Sequence, residues 1–87
     1  MQTIWKYEIS ITDRQTILMP KGARILSFQL QNNIPCIWAI VNTEAKKETR
    51  TFLVLGTGNI FSIKNKLNFM GTIQDSNGFV WHLFEQL

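Results

Sequence analysis

A chain of 87 residues with a formal net charge of +3 has the length of one domain, near the lower size at which a core holds without staples. A hydrophobic fraction of 45% and a charged fraction of 17% exclude a disordered chain, and a single cysteine, Cys36, excludes an internal disulfide. The first residues lack the apolar core of a signal peptide and no apolar run nears the roughly 20 residues of a membrane span, so a soluble, cytoplasmic protein with no membrane partner is expected.

Taken in chain order, Thr3 to Ile11 alternates, with Trp5, Tyr7, Ile9 and Ile11 on one side and Lys6, Glu8 and Ser10 on the other, which predicts a half-buried strand. Thr12-Asp13-Arg14 is a turn signal, and Gln15 to Met19 a short second strand stopped at Met19-Pro20-Lys21-Gly22, where proline lacks a donor and glycine admits a positive φ. Arg24 to Gln31 alternates again, with Leu26, Phe28 and Leu30 expected inward. Asn32-Asn33 follows as a tight turn, because asparagine tolerates the left-handed region.

Two apolar runs without a polar face come next, Cys36 to Val41 and Thr51 to Leu55, each predicted to be a strand covered on both sides. The charged stretch from Asn42 to Glu48 between them reads as the connection of a hairpin, around which the other strands wrap. Gly56-Thr57-Gly58-Asn59 is a glycine loop, expected to need positive φ twice. Residues Ile60 to Lys66 form a loop or one helical turn. Leu67 to Gln74 and Phe79 to Glu85 are strands joined by Asp75-Ser76-Asn77-Gly78, a hairpin signal. The expected fold is all-β, a single domain over 1–87, an antiparallel sandwich or barrel of six or seven short strands; the alternative is α+β with a short helix at 60–66.

Nine basic and six acidic residues are spread along the chain rather than gathered on one face, which speaks against nucleic acid as a partner. His82 lies between Trp81 and Leu83 and shares a strand face with Val80 and Phe84; a lone histidine there is more often packed than catalytic, and a general base would need an orienting carboxylate from Glu85, Asp75, Asp13 or Glu8. One histidine and one cysteine leave little for a metal site, so neither metal nor cofactor is expected, and no catalytic residues. The glycine loop Gly56, Thr57, Gly58 and Asn59 offers donors to an anion but lacks the third glycine of a dinucleotide fingerprint and the lysine of a P-loop. With Arg50, Lys21 and Arg24 as cations and Trp38 as a stacking surface, these residues make up the candidate ligand site. Sheet edges that pair between chains make a homo-oligomer a further expectation.

The phrases Ile4-Trp5-Lys6-Tyr7, Ile11-Thr12-Asp13, Met19-Pro20-Lys21-Gly22-Ala23, Pro35-Cys36-Ile37-Trp38-Ala39, Glu48-Thr49-Arg50, Gly56-Thr57-Gly58 and Val80-Trp81-His82-Leu83-Phe84-Glu85, in this order, resemble a family of small proteins of unknown function encoded by phages and prophage regions. Where the resemblance leads one to expect histidine after the second glycine, this chain has Asn59. The resemblance implies a phage setting and a binder rather than a catalyst. The functional expectation is a non-enzymatic protein that sequesters a small anionic, nucleotide-like signal of host defence. The alternative is a protein that binds and inhibits a host defence enzyme, or a structural or regulatory phage module.

Overall fold

A computed structural model describes all 87 residues and contains no helix. Seven strands follow in order: β1 (Gln2–Glu8), β2 (Gln15–Pro20), β3 (Arg24–Gln31), β4 (Ile34–Asn42), β5 (Lys47–Gly56), β6 (Leu67–Gln74) and β7 (Val80–Gln86). They form two antiparallel sheets, one ordered β1-β4-β3 and one ordered β2-β5-β7-β6. Alternation supplies each sheet with one apolar face, and the two faces close on a core of Ile9, Met19, Phe28, Ile37, Val41, Phe52, Val54, Ile73 and Leu83 with Ala23 and Ala39. The result is an all-β sandwich.

The strand directions give the sandwich two ends. At the near end lie the β2–β3 turn, the start of β5 and the close of β7. At the far end lie the tips of the β3–β4 and β6–β7 hairpins. The turns behave as their residues require. Asn32 and Asn33 both have positive φ, 50° and 63°, and close a two-residue hairpin between the paired Gln31 and Ile34. Gly22, at φ 80°, lets Ala23 donate to the Pro20 carbonyl at 3.1 Å, which turns the chain from β2 to β3.

Two expectations are corrected. The runs at β4 and β5 are not a hairpin: β4 is the middle of the first sheet, β5 sits between β2 and β7 in the second, and Thr43 to Lys46 carries the chain from one sheet to the other. Two strands apolar on both faces are each satisfied by two other neighbours, so nothing forces them to pair. Leu26 does not point inward but is 45% exposed, because a bulge between Ile25 and Ser27 shifts the alternation by one and puts Ile25 against the core. Of the two readings of 60–66, loop or helical turn, the loop is the one observed, and the fold is all-β as expected. Since β5 and β6 are both antiparallel to β7, they run parallel to each other, and residues 57–66 return the chain from the far end to the near end.

That return path covers the middle of the outer face of the four-stranded sheet, over Leu53 and Leu55, and leaves Leu18 and Phe69 exposed. Leu53 and Leu55 alternate with core residues Phe52 and Val54 and so point outward, yet both are buried. Together with Asn59 to Ile63, and with Asp13 and Arg14 of the β1–β2 connection, they line a cavity of about 270 Å³. The double-sided burial expected of the second apolar run is therefore met by a loop, not by a third sheet. No helix here is long and apolar enough to cross a membrane.

Candidate functional site

The candidate residues separate along β5. Arg50 lies near its start, while Gly56 ends it six residues later, about 20 Å away at 3.3 Å per residue. The glycine loop therefore sits at the far end and the cations at the near end.

In the loop, the Asn59 N–H donates to the Gly56 carbonyl at 3.1 Å, closing a turn with Gly58 at φ 84°. Only Gly58 needs the positive φ. At Gly56 the space is tight: a Cβ there would stand 3.0 Å from Trp81 Cζ3 and 2.6 Å from Asn59 Nδ2, the tip of an exposed side chain that would have to turn away. The Thr57 N–H donates to the Val80 carbonyl, and the Thr57 hydroxyl bonds His82 Nε2 at 2.7 Å. The Thr57 donors and the Asn59 N–H thus have partners within the fold.

His82 is held from both sides. Its Nδ1 bonds the Thr72 hydroxyl at 2.9 Å, opposite Thr57 on Nε2. No carboxylate reaches the ring. Glu85 is three residues along the same strand, and an odd separation places it on the opposite face, a parity that the spacing alone dictates. The histidine is half-buried, pins the start of the 57–66 crossover to β6 and β7, and lines none of the four surface cavities.

Arg50 points between the sheets. Its Nε and one terminal nitrogen bond the two oxygens of Glu85 at 2.6 and 2.7 Å, and the other terminal nitrogen bonds the Ala23 carbonyl. The side chains are only 16% and 11% exposed. The bond to Glu85 raises the guanidinium pKa; burial opposes this, and the charges of Glu85 and Glu48 reinforce it. This fork ties β5 and β7 to the entry of β3 in the other sheet. It floors an open depression of about 600 Å³, into which Glu48 also projects, so the local charge does not favour an anion.

Lys21 and Arg24 differ. Both are exposed, neither lies within salt-bridge distance of a carboxylate, and they line one groove of about 410 Å³ with Gln2, Ile40 and Asn42 and no acidic residue. Trp38 is half-buried on the outer face of the three-stranded sheet. It is paired with Ser27 and lies one diagonal, about 7–8 Å, from Arg24, which pairs with Ile40. The fold thus brings Lys21, Arg24 and Trp38 to one surface and leaves Arg50 and the Gly56–Asn59 loop elsewhere.

Residues 1–87 match the model of a family described as a domain of unknown function, DUF7352. The chain belongs to that family. The match covers its full length and carries no indication of phage origin. No curated protein and no solved structure matches it.

Proposed function

We infer that this DUF7352 domain is a non-catalytic binding module whose working surface is the Lys21–Arg24 groove with Trp38 beside it, and that its ligand is small, anionic and planar, of nucleotide type. The observation that carries this reading is the pair of unneutralised cations in a groove without a carboxylate. Arg24 supplies a planar fork for phosphate oxygens and Lys21 a mobile ammonium. Trp38 offers a face on which a base stacks. The absence of a carboxylate on His82 supports binding over catalysis. The reading keeps the setting implied by the resemblance, a phage or prophage accessory protein that removes a nucleotide signal of host defence in the host cytoplasm.

The test is calorimetric titration of the purified domain with linear and cyclic nucleotides at low salt. Binding is expected to weaken about tenfold or more in Arg24→Ala, the scale of one lost charge-assisted bond, with unfolding unchanged. Binding unaffected by Arg24→Ala and Lys21→Ala, or no binding across the panel, sinks it. A second reading, docking on a host protein, is favoured by the crossover, which holds Ile60 wholly in solvent beside a largely exposed Phe61. Retention of a host protein by the wild type and its loss in an Ile60→Ser, Phe61→Ser variant would select that reading.

A further inference from the structure

A two-sheet sandwich has four sheet edges, and three of them carry a feature that blunts pairing. β3 is bulged at Leu26, and β6 is bulged between Phe69 and Gly71. β2 is short and ends in Pro20. The Lys21 N–H bonds the Lys46 carbonyl beside β5, so by alternation the backbone of Thr16, Leu18 and Pro20 faces the free edge, where proline offers no donor. β1 has neither bulge nor proline, and its one lysine, Lys6, is drawn away across β4 to Gln31. It runs seven residues in unbroken register with β4, contains neither proline nor glycine, and exposes Trp5 by 37% on one face and Ile4 by 56% on the other.

The parity of the β1 edge follows from its two ends. The Thr43 N–H bonds the Met1 carbonyl, and the Ile9 N–H bonds the Pro35 carbonyl. Odd-numbered residues of β1 therefore bond β4, and the N–H and C=O groups of Gln2, Ile4, Lys6 and Glu8 face away from the sheet. An antiparallel copy of the same strand satisfies all of them in one register. Gln2 faces Glu8 and Ile4 faces Lys6, twice over by symmetry, in four pairs that each exchange two bonds. In that register Thr3 faces Tyr7 and Trp5 faces Trp5 of the second copy in a close, non-hydrogen-bonded pair, where aromatic side chains gain most from each other. No like charges stand directly opposite. Lys6 already leans inward across β4 to Gln31, 2.5 Å away, leaving the twofold axis clear.

We propose that two copies of this chain associate through β1, antiparallel about a twofold axis at Trp5, into a continuous six-stranded sheet ordered β3-β4-β1-β1-β4-β3. The partner is chosen by self-complementarity: one register uses every free backbone group of the edge and places the exposed tryptophans against each other. The dimer is independent of the ligand groove and stands whether or not a nucleotide binds.

Light scattering during size exclusion at micromolar concentration is expected to give twice the chain mass of 10.1 kDa. Ile4→Pro removes one N–H that faces the free edge and none that bonds β4, so it should yield a folded monomer with unchanged circular dichroism. Trp5→Cys provides an independent arm that needs no loss of pairing. Cα atoms of a non-hydrogen-bonded pair stand about 4.5 Å apart, within disulfide range, so mild oxidation should crosslink this variant to itself. Thr3→Cys, which faces Tyr7, should not crosslink, and the native Cys36 is buried and does not compete. A monomeric wild type, a dimer that persists in Ile4→Pro, or equal crosslinking of the two cysteine variants overturns the proposal.

Discussion

The two ends of the sandwich are both closed by polar side chains, and they do so in opposite ways. At the near end the Arg50–Glu85 fork lies between the sheets, largely out of solvent, and reaches from β5 and β7 to the Ala23 carbonyl. At the far end two hairpin tips are laced together in water. Asn33 Nδ2 donates to the Ser76 hydroxyl at 3.1 Å and the Ser76 N–H donates to Asn33 Oδ1 at 3.3 Å. Beside them Asp75 accepts from the N–H groups of Asn77 and Phe79 and from the Trp81 indole at 3.0 Å. The far end has more of these bonds, five against three. Burial differs, and burial decides what each is worth: water replaces a lost partner at the far end, whereas a charge stranded at the near end, 11–16% exposed, is left with little solvation.

The sharpest way to break this contrast is Arg50→Ala. It leaves Glu85 charged and enclosed, so urea unfolding should show a loss of about 3–5 kcal/mol. Replacing both partners together, Arg50→Met with Glu85→Leu, should recover much of that loss, because no buried charge remains. A single variant that costs less than about 1 kcal/mol would show that the near end is as wet as the far end. This outcome also bears on the ligand site, since an exposed and expendable Arg50 would rejoin Lys21 and Arg24 as a free cation.

Half of this architecture is legible in the residues alone, and the division has a physical cause. Strand alternation in β1, the Asn32-Asn33 turn and the Asp75–Gly78 hairpin are local: a few neighbouring residues set their dihedrals and faces. The pairing of Arg50 with Glu85 is not, because 35 residues separate the partners and nothing near either one names the other. The same holds for β4 and β5, adjacent in sequence and apolar on both faces, which lie in different sheets because a sandwich needs a covered strand in each. The bulge at Leu26 escapes notice for another reason. One inserted residue leaves the composition of a strand intact and inverts its alternation from that point. Of the candidate site, the residue types are legible, but which cations are free depends on partners that only the fold supplies.

At the far end the largest effect belongs to backbone conformation. Asn33 holds φ at 63°, where alanine is strained, and Asn33→Ala also loses both links to Ser76, so a cost of about 1–2 kcal/mol is expected. Asn33→Gly keeps the conformation and loses only the links. It should cost no more than several tenths of a kcal/mol. The difference between these two variants separates strain from bonding, and equal losses would mean that the links to Ser76, not backbone strain, carry the whole cost.

The smallest expected effect is carried by Asp75, a half-buried residue at the rim of the far end. Its carboxyl pKa lies below the ordinary value of 3.8, first because of the Trp81 indole bond; burial opposes this, and the N–H groups of Phe79, Asn77 and Gly78 reinforce it. A folded-state pKa lowered in this way contributes stability that is complete above pH 3.8 and is lost as pH falls through the lowered value, where the folded and unfolded carboxyls are both protonated. The stability gap between wild type and Asp75→Asn should therefore be small at neutral pH and should close in acid. The Trp81 indole N–H resonance should move over the same acid range in the wild type and stay still in the variant. A gap that is constant with pH would mean that the carboxylate charge adds nothing beyond a neutral acceptor, leaving the far end held by geometry alone.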